Sequence, residues 1–166
     1  MSASTSRTRR LFELDPTSFV VEPWDDPTLA QYGFPVGDDY VEFFWLSTLG
    51  PTATWLLRRL ANILETHPQA VRLDVAELSA GLGIGSSHDP LAPLVKTLDR
   101  LVMFGVAQAR RDRIGVRLFV PPLAAKQIDR LPPHLQRSHE AWMTGRRETE
   151  LPIVASRRVS AAYSAA

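Results

Sequence analysis

The chain contains no cysteine in its 166 residues. Disulfide bonds and metal sites built from thiolates are therefore excluded. Its apolar runs are far shorter than the roughly 20 residues that a membrane-spanning helix needs. The basic N-terminus, MSASTSRTRR, is not followed by the apolar core of a signal peptide. We therefore expect a soluble cytoplasmic protein.

Patterns of metal binding are also lacking. No two histidines have the i,i+4 spacing of a helical metal site, and the motif HExxH is absent. The four histidines are His67, His88, His134 and His139. We expect each to be a surface or capping residue, and we expect no metal.

Catalytic motifs are equally weak. The glycine-rich stretch 81–85 lacks the Lys-Ser/Thr pair of a phosphate-binding P-loop, and it follows a predicted helix rather than a strand. Ser87, His88 and Asp89 are the residue types of a catalytic triad, but adjacent side chains do not line up as nucleophile, base and orienter. The sequence therefore predicts neither an enzyme nor a bound cofactor.

Lysine is scarce, since Lys96 and Lys126 are the two lysines among 19 basic residues. Arginine preference together with abundant Ala, Leu and Pro is typical of GC-rich bacterial genomes. The formal net charge of +1 hides an uneven distribution, because residues 11–43 carry eight acidic groups and no Lys or Arg, whereas residues 44–166 carry sixteen basic and ten acidic groups. A basic body suits a phosphate-binding surface, with ordinary mixing of surface charges as the alternative.

The most regular stretch is 73–121. Asp74 is a predicted N-cap, and Glu77 completes a capping box for a short helix that the glycines at 81, 83 and 85 end. A second helix is predicted over 90–104, with Asp89 as its cap. Its apolar residues recur at helical spacing and are Leu91, Leu94, Val95, Leu98, Leu101 and Val102. Two extended runs, 106–110 and 114–120, follow with alternating apolar residues around a basic turn.

This order of helix, turn, helix and basic hairpin resembles the winged helix-turn-helix family of DNA-binding domains. LSAGLGIG is similar to that family's second helix and turn, and PLVKTLDRLVMFGVA to its recognition helix and the start of its wing. The loop 84–90 is several residues longer than the usual turn. Residues 51–65 would supply the first helix, and 71–73 the short strand that often pairs with the wing in this family. The resemblance implies a bacterial transcriptional regulator that binds double-stranded DNA, with helix 90–104 in the major groove and hairpin 106–120 as the wing.

The expected DNA contacts follow from this resemblance. Lys96 and Arg100 lie on the predicted outer side of the recognition helix and suit contacts with bases or phosphates. Guanidinium groups at a hairpin tip reach a phosphate backbone or a minor groove. The full set of expected DNA-binding residues is Ser86, Ser87, Pro93, Lys96, Thr97, Arg100, Arg110, Arg111 and Arg113.

The fold class expected for the whole chain is mainly α with a small β-hairpin. Residues 1–10 are a predicted disordered basic arm. Residues 11–39 are an acidic, irregular segment that packs on the body, with a short strand from Ser18 to Val21; the alternative is an arm that binds a partner or competes with DNA. The winged helix-turn-helix occupies 40–122, C-terminal helices occupy 123–145 (a helix over 123–131, then another from Pro133), and 146–166 is a flexible tail.

Other partners stay open at this stage. The apolar helix 40–49, which includes Tyr40, Phe44 and Leu49, suits either the core or a dimer seam. The C-terminal helices are a second route to a homodimer. The alternative function is a winged-helix protein-interaction or structural subunit of a larger assembly, for which Val95, Val102 and Met103 offer apolar surface. A replication or partition accessory protein is a further alternative.

Overall fold

The structure is a computed structural model that describes residues 7–13, 15–85 and 88–145. The chain divides into two compact units, Met1–Pro122 and Leu123–Ala166. The first unit combines helices with a small mixed sheet, and helices are the main secondary structure of the chain. Within the described ranges, no helix has the length and apolar character needed to cross a bilayer.

Three helices predicted from periodicity form the centre of the first unit. Helix α4 spans Pro51–Thr66, α5 spans Val75–Gly81 and α6 spans Leu91–Met103. The Asp74 carboxylate accepts the Glu77 N–H at 2.8 Å, as the capping pattern predicts. The Asp89 carboxylate likewise accepts the N–H of Ala92, the second residue of α6, at 3.0 Å. The expected helices over 51–65 and 90–104, and the short helix capped by Asp74, are therefore confirmed.

The core lies where α4 packs on α6. The α4 side chains that face it are Ala53, Leu56, Leu57, Leu60, Ala61 and Leu64. Leu94, Leu98 and Leu101 of α6 are completely buried against them. Helix α5 also packs on α6, and the Ser79 hydroxyl donates to the Pro90 carbonyl at 2.9 Å, which ties α5 to the start of α6.

A four-stranded sheet covers this core. Its strands are β1 (Ser18–Pro23), β3 (Val71–Asp74), β4 (Ala107–Ala109) and β5 (Arg113–Val116), in the spatial order β3-β1-β5-β4. Strand β1 is antiparallel to β3 and parallel to β5, with Val21 opposite Ile114. Strand β3, expected to pair with the wing, pairs with β1 instead, because β1 lies between β3 and β5. The segment 11–39, expected to be an irregular arm, therefore supplies an interior strand of the sheet. The short strand expected from Ser18 is confirmed and continues to Pro23.

The second extended run, predicted over 114–120, is divided in the structure. Strand β5 ends at Val116, and β6 (Phe119–Val120) pairs antiparallel with β2 (Phe34–Pro35) in a separate two-stranded sheet. Helix α2 (Pro27–Tyr32) precedes β2. After Val116 the chain leaves the first sheet and bonds to the N-terminal segment instead. The Val36 N–H donates to the Leu118 carbonyl at 2.9 Å. The hairpin of the main sheet is therefore 107–116 rather than 106–120.

Residues 7–10, expected in a disordered arm, belong to a short helix. Helix α1 spans Arg7–Leu11 and packs against α6 and β4. Thr8 and Leu11 are buried there, and this burial orders the segment. Residues 1–6 lie outside the described part of the chain.

The apolar segment 40–49 is used in the core of the first unit. It forms a π-helical turn, Val41–Trp45, followed by α3 (Leu46–Leu49). Its buried side chains are Tyr40, Val41, Phe44, Trp45 and Leu49. The Tyr40 ring stacks on Phe34 with 3.7 Å between centroids. Of the two expectations, core and dimer seam, the packing corresponds to core.

The second unit contains α7 (Ala125–Ile128) and α8 (Pro133–Met143). Helix α7 is shorter than the helix expected over 123–131, whereas α8 begins at the predicted Pro133. The Gln136 amide donates to the Leu131 carbonyl at 2.9 Å and joins α8 to the preceding turn. The expected tail, 146–166, lies outside the described residues.

Candidate functional site

Four of the expected DNA-binding residues line one cleft. Pro93, Lys96, Thr97 and Arg100 of α6 face the start of α4 across a space of about 360 Å³. The other lining residues are Leu49, Gly50, Pro51, Thr52, Ala53 and Ile84. The cleft therefore lies between one side of the predicted recognition helix and the N-terminus of α4.

The start of α4 gives this cleft positive electrostatic potential. Its N-cap is Gly50, which has no side chain to accept the N–H groups of the first turn. The helix dipole adds partial positive charge at the same end. Lys96 is exposed at the cleft and contributes a full charge. This combination suits an anionic group such as a phosphate.

Arg100 is held by the protein itself. Its Nε donates to the Leu49 carbonyl, and its Nη2 donates to the Thr48 carbonyl at 2.8 Å. The guanidinium also lies over the Phe104 ring, 5.2 Å from the centroid. Arg100 thus satisfies carbonyls at the C-terminal end of α3, a favourable place for a cation. Its charge remains beside the cleft, but its geometry is fixed by α3.

Thr97 does not lie on the outer side of α6. It is buried, and its hydroxyl donates to the Pro93 carbonyl at 2.7 Å. The expectation for this residue is wrong because the start of α4 approaches the same side of α6. The exposed line of α6 is Ala92, Lys96, half-exposed Asp99 and Met103. It carries one charge of each sign.

The hairpin tip carries the three expected arginines of the wing. Arg110 Nη1 lies 2.8 Å from Glu22 Oε1, and Arg113 Nη1 lies 3.1 Å from Glu22 Oε2. Arg113 Nη2 also lies 2.9 Å from Asp112 Oδ2. The hydrogen bond from Arg113 lowers the pKa of Asp112, and the bonds to Asp112 and Glu22 raise the pKa of Arg113. Arg111 is exposed and makes no hydrogen bond or ion pair with any residue that the structure describes.

A fourth arginine of this region was missed by sequence reasoning. Arg117 Nη1 lies 2.8 Å from Asp26 Oδ2, and its guanidinium stacks over the Trp24 ring at 3.8 Å. The hydrogen bond from Arg117 lowers the pKa of Asp26. The alternation of polar and apolar residues marked Arg117 as polar, but its partners lie far away in the sequence. Glu22 and Asp26, both in the N-terminal segment, together contact three arginines on the hairpin side.

Helix α1 adds positive charge that was not expected at this place. Arg7, Arg9 and Arg10 are exposed on a helix that packs against α6 and β4. Their charge is evident from the sequence, but their position is not, since a helix of five residues is too short to show an apolar periodicity. These arginines therefore lie beside the two elements that carry the other expected contacts.

The loop before α6 depends on one glycine. Gly85 has φ +78°, and a Cβ at this position would lie 2.9 Å from the Pro90 Cα. The close approach brings the loop back onto the start of α6. Ser86 and Ser87, the two expected residues of this loop, lie outside the described part of the chain.

Comparisons with known proteins give no relative for this chain: no protein-family model, curated protein or solved structure matches it.

Proposed function

We propose that this protein is a cytoplasmic, bacterial transcriptional regulator that binds double-stranded DNA through a winged helix-turn-helix. In this proposal α4, α5 and α6 are its three helices, and the hairpin of β4 and β5 is its wing. The order of these elements along the chain supports it. Helix α6 would enter the major groove, with Lys96 as its freely accessible cation.

The observation that carries the proposal is the docking of α1 on α6 and β4. It places Arg7, Arg9 and Arg10 on a helix that contacts both α6, which carries Lys96, and β4, the first strand of the hairpin whose tip carries Arg111. Clustered arginine and lysine supply the sequence-independent part of DNA affinity by displacing counterions from phosphates. A basic patch spread over adjoining elements is what such a footprint needs.

The cleft at the start of α4 has a separate role in this proposal. Uncapped N–H groups and Lys96 would receive one phosphate, and this contact would fix the position of α6 on the duplex. Arg100, tied to α3, would support the cleft with its charge without leaving its carbonyl partners. Base contacts would then come from the exposed line of α6.

The two lysines of the chain provide a matched test. Lys96 lies on α6, whereas Lys126 lies in α7 of the second unit, and both are exposed. Fluorescence anisotropy with a pool of short duplexes, titrated with salt, measures affinity and its salt slope. Each phosphate contact contributes roughly 0.9 to the slope of log affinity against log salt. We expect Lys96→Ala to reduce the slope by about one contact and Lys126→Ala to leave it unchanged.

The proposal predicts a second loss when the three α1 arginines are changed to alanine. Affinity at low salt should fall and the slope should flatten further, because these contacts also release counterions. Absence of salt-dependent binding by the wild-type chain at low salt would overturn the proposal. Equal effects of Lys96→Ala and Lys126→Ala would remove α6 from the interface. Binding without an effect on transcription would instead support a replication or partition role.

A specific observation favours a second candidate, a winged-helix protein-interaction subunit. The hairpin arginines are already paired with Glu22, and α6 exposes Met103, whose side chain is 67% accessible. Exposed apolar residues of this size suit a protein partner better than a phosphate backbone. A chain that does not bind duplexes, but whose binding to a protein partner is lost with Met103→Asp, would support this candidate.

A further inference from the structure

The outer face of α4 carries an exposed tryptophan. Trp55 is 61% accessible, although indole side chains are largely buried in most proteins. Beside it lies a depression of about 290 Å³, lined by Arg58, Arg59, Asn62 and Glu65 together with Gly37 and Ala61. Exposed tryptophan and arginine residues are enriched among those that dominate protein interfaces. We define this surface as the Trp55 face.

The charges of the Trp55 face are complementary to those of a second, antiparallel copy of the same face. Arg58 and Glu65 lie seven residues, about two turns, apart and therefore occupy the same flank of α4. The basic residue is towards the N-terminus and the acidic one towards the C-terminus. In an antiparallel pair of α4 helices related by a two-fold axis, each Arg58 therefore faces the partner's Glu65. Asn62 then lies next to the axis.

Arg58 is held in place by its own chain, and its side chain remains 18% accessible at the edge of the depression. Its Nη2 donates to the Asp38 carbonyl at 3.0 Å, and its Nη1 lies 3.4 Å from Glu42 Oε2. The first bond fixes the plane of the guanidinium beside the depression, and the second is long for an ion pair. A guanidinium held in advance loses little side-chain entropy on binding.

We propose that the Trp55 face binds a second copy of this chain, through an antiparallel pair of α4 helices. The register that pairs Arg58 with the partner's Glu65 also brings Trp55 over the C-terminal end of the partner's α4, near the exposed Pro68. Two-fold symmetry repeats each contact, so the interface contains two tryptophan contacts and two ion pairs. This interface differs from a seam through residues 40–49, whose apolar side chains are buried.

The oligomeric state of the full chain tests the proposal. Sedimentation equilibrium in the absence of DNA should give twice the chain mass of 18.5 kDa. Trp55→Ala should raise the dimer Kd by about thirtyfold or more, as expected for a residue that dominates an interface. Tyr32→Ala is the matched control, since Tyr32 is another exposed aromatic residue, 56% accessible in α2, and should leave the Kd unchanged. Circular dichroism checks that both variants keep the fold.

A cysteine scan tests the geometry, because the natural chain has no cysteine. Asn62→Cys should form an intermolecular disulfide on mild oxidation, since residue 62 lies next to the proposed axis. Ala92→Cys, exposed on α6, should not. A wild-type monomer at several hundred micromolar, a dimer that Trp55→Ala leaves intact, or cross-linking at 92 and not at 62 would each overturn the proposal. None of these results depends on whether the chain binds DNA.

Discussion

Neutralising Glu22 should have opposite effects on stability and on DNA binding. Glu22 is near the C-terminal end of β1, and its side chain is 17% accessible. Its two carboxylate oxygens contact Arg110 at 2.8 Å and Arg113 at 3.1 Å. Glu22→Gln keeps the shape of the side chain and removes the charge. Arg110 then loses its ionic partner and becomes available to a phosphate, whereas Arg113 keeps its contact with Asp112.

The magnitudes follow from the exposure of the partners. Exposed ion pairs contribute roughly 0.2–1 kcal/mol, whereas breaking a buried pair costs about 3–5 kcal/mol. The Arg110 and Arg113 side chains are 48% and 36% accessible, so solvent screens both contacts. We therefore expect Glu22→Gln to lower the free energy of unfolding by about 1–2 kcal/mol. One additional phosphate contact, from Arg110, should steepen the salt slope of DNA binding by about 0.9.

Two assays on the same variant separate these effects. Urea denaturation measures the free energy of unfolding, and anisotropy with duplex DNA measures the salt slope. Glu42→Gln is the control, because Glu42 pairs with Arg58 rather than with the hairpin. A less stable Glu22→Gln protein with an unchanged slope would refute the placement of Arg110 at the DNA. An unchanged stability would refute the energetic role of the ion pairs.

Three further predictions concern stability. The Thr8 hydroxyl is buried without a partner among the described residues, so Thr8→Val should raise the free energy of unfolding by about 1 kcal/mol in urea denaturation. Arg100→Ala should lower it by about 1–3 kcal/mol, because the carbonyls of Thr48 and Leu49 lose their donor; no loss would show that these bonds contribute nothing. Burial holds the pKa of His139 below its ordinary value of 6.5. The unfolded chain then takes up the proton first, so thermal melts should show stability falling as the pH drops below about 6.5, and His139→Gln should remove this dependence.

The helices of the first unit could be predicted because their signals are local. The apolar spacing within α4 and α6, and the cap of α5 by Asp74, depend on residues at most a few turns apart. The sequence also marked Lys96 as an exposed cation on α6. These features need no knowledge of what packs against the helix.

The features that could not be predicted depend on distant parts of the chain. Arg113 and Glu22 are separated by 91 positions, and no local pattern relates them. The position of β1 between β3 and β5 is likewise decided by long-range strand pairing. Thr97 was expected on the outer side of α6, because the spacing of apolar residues identifies only the apolar side of the helix. The sequence does not show that the start of α4 covers a second side. The docking of α1 depends on tertiary burial of Thr8 and Leu11.

The interior position of β1 also governs the order in which the first unit can be completed during synthesis. Strand β1 leaves the ribosome before both of its neighbours. Its apolar Phe19 and Val21 therefore have no neighbouring strand until β3 has been synthesised. The parallel pairing with β5 closes only after Val116 has been made. Without β1, β3 and β5 would face each other across two strand spacings, roughly 9–10 Å, which is too wide for backbone hydrogen bonds. The earliest strand of the chain is therefore the one on which the last strands of the sheet assemble.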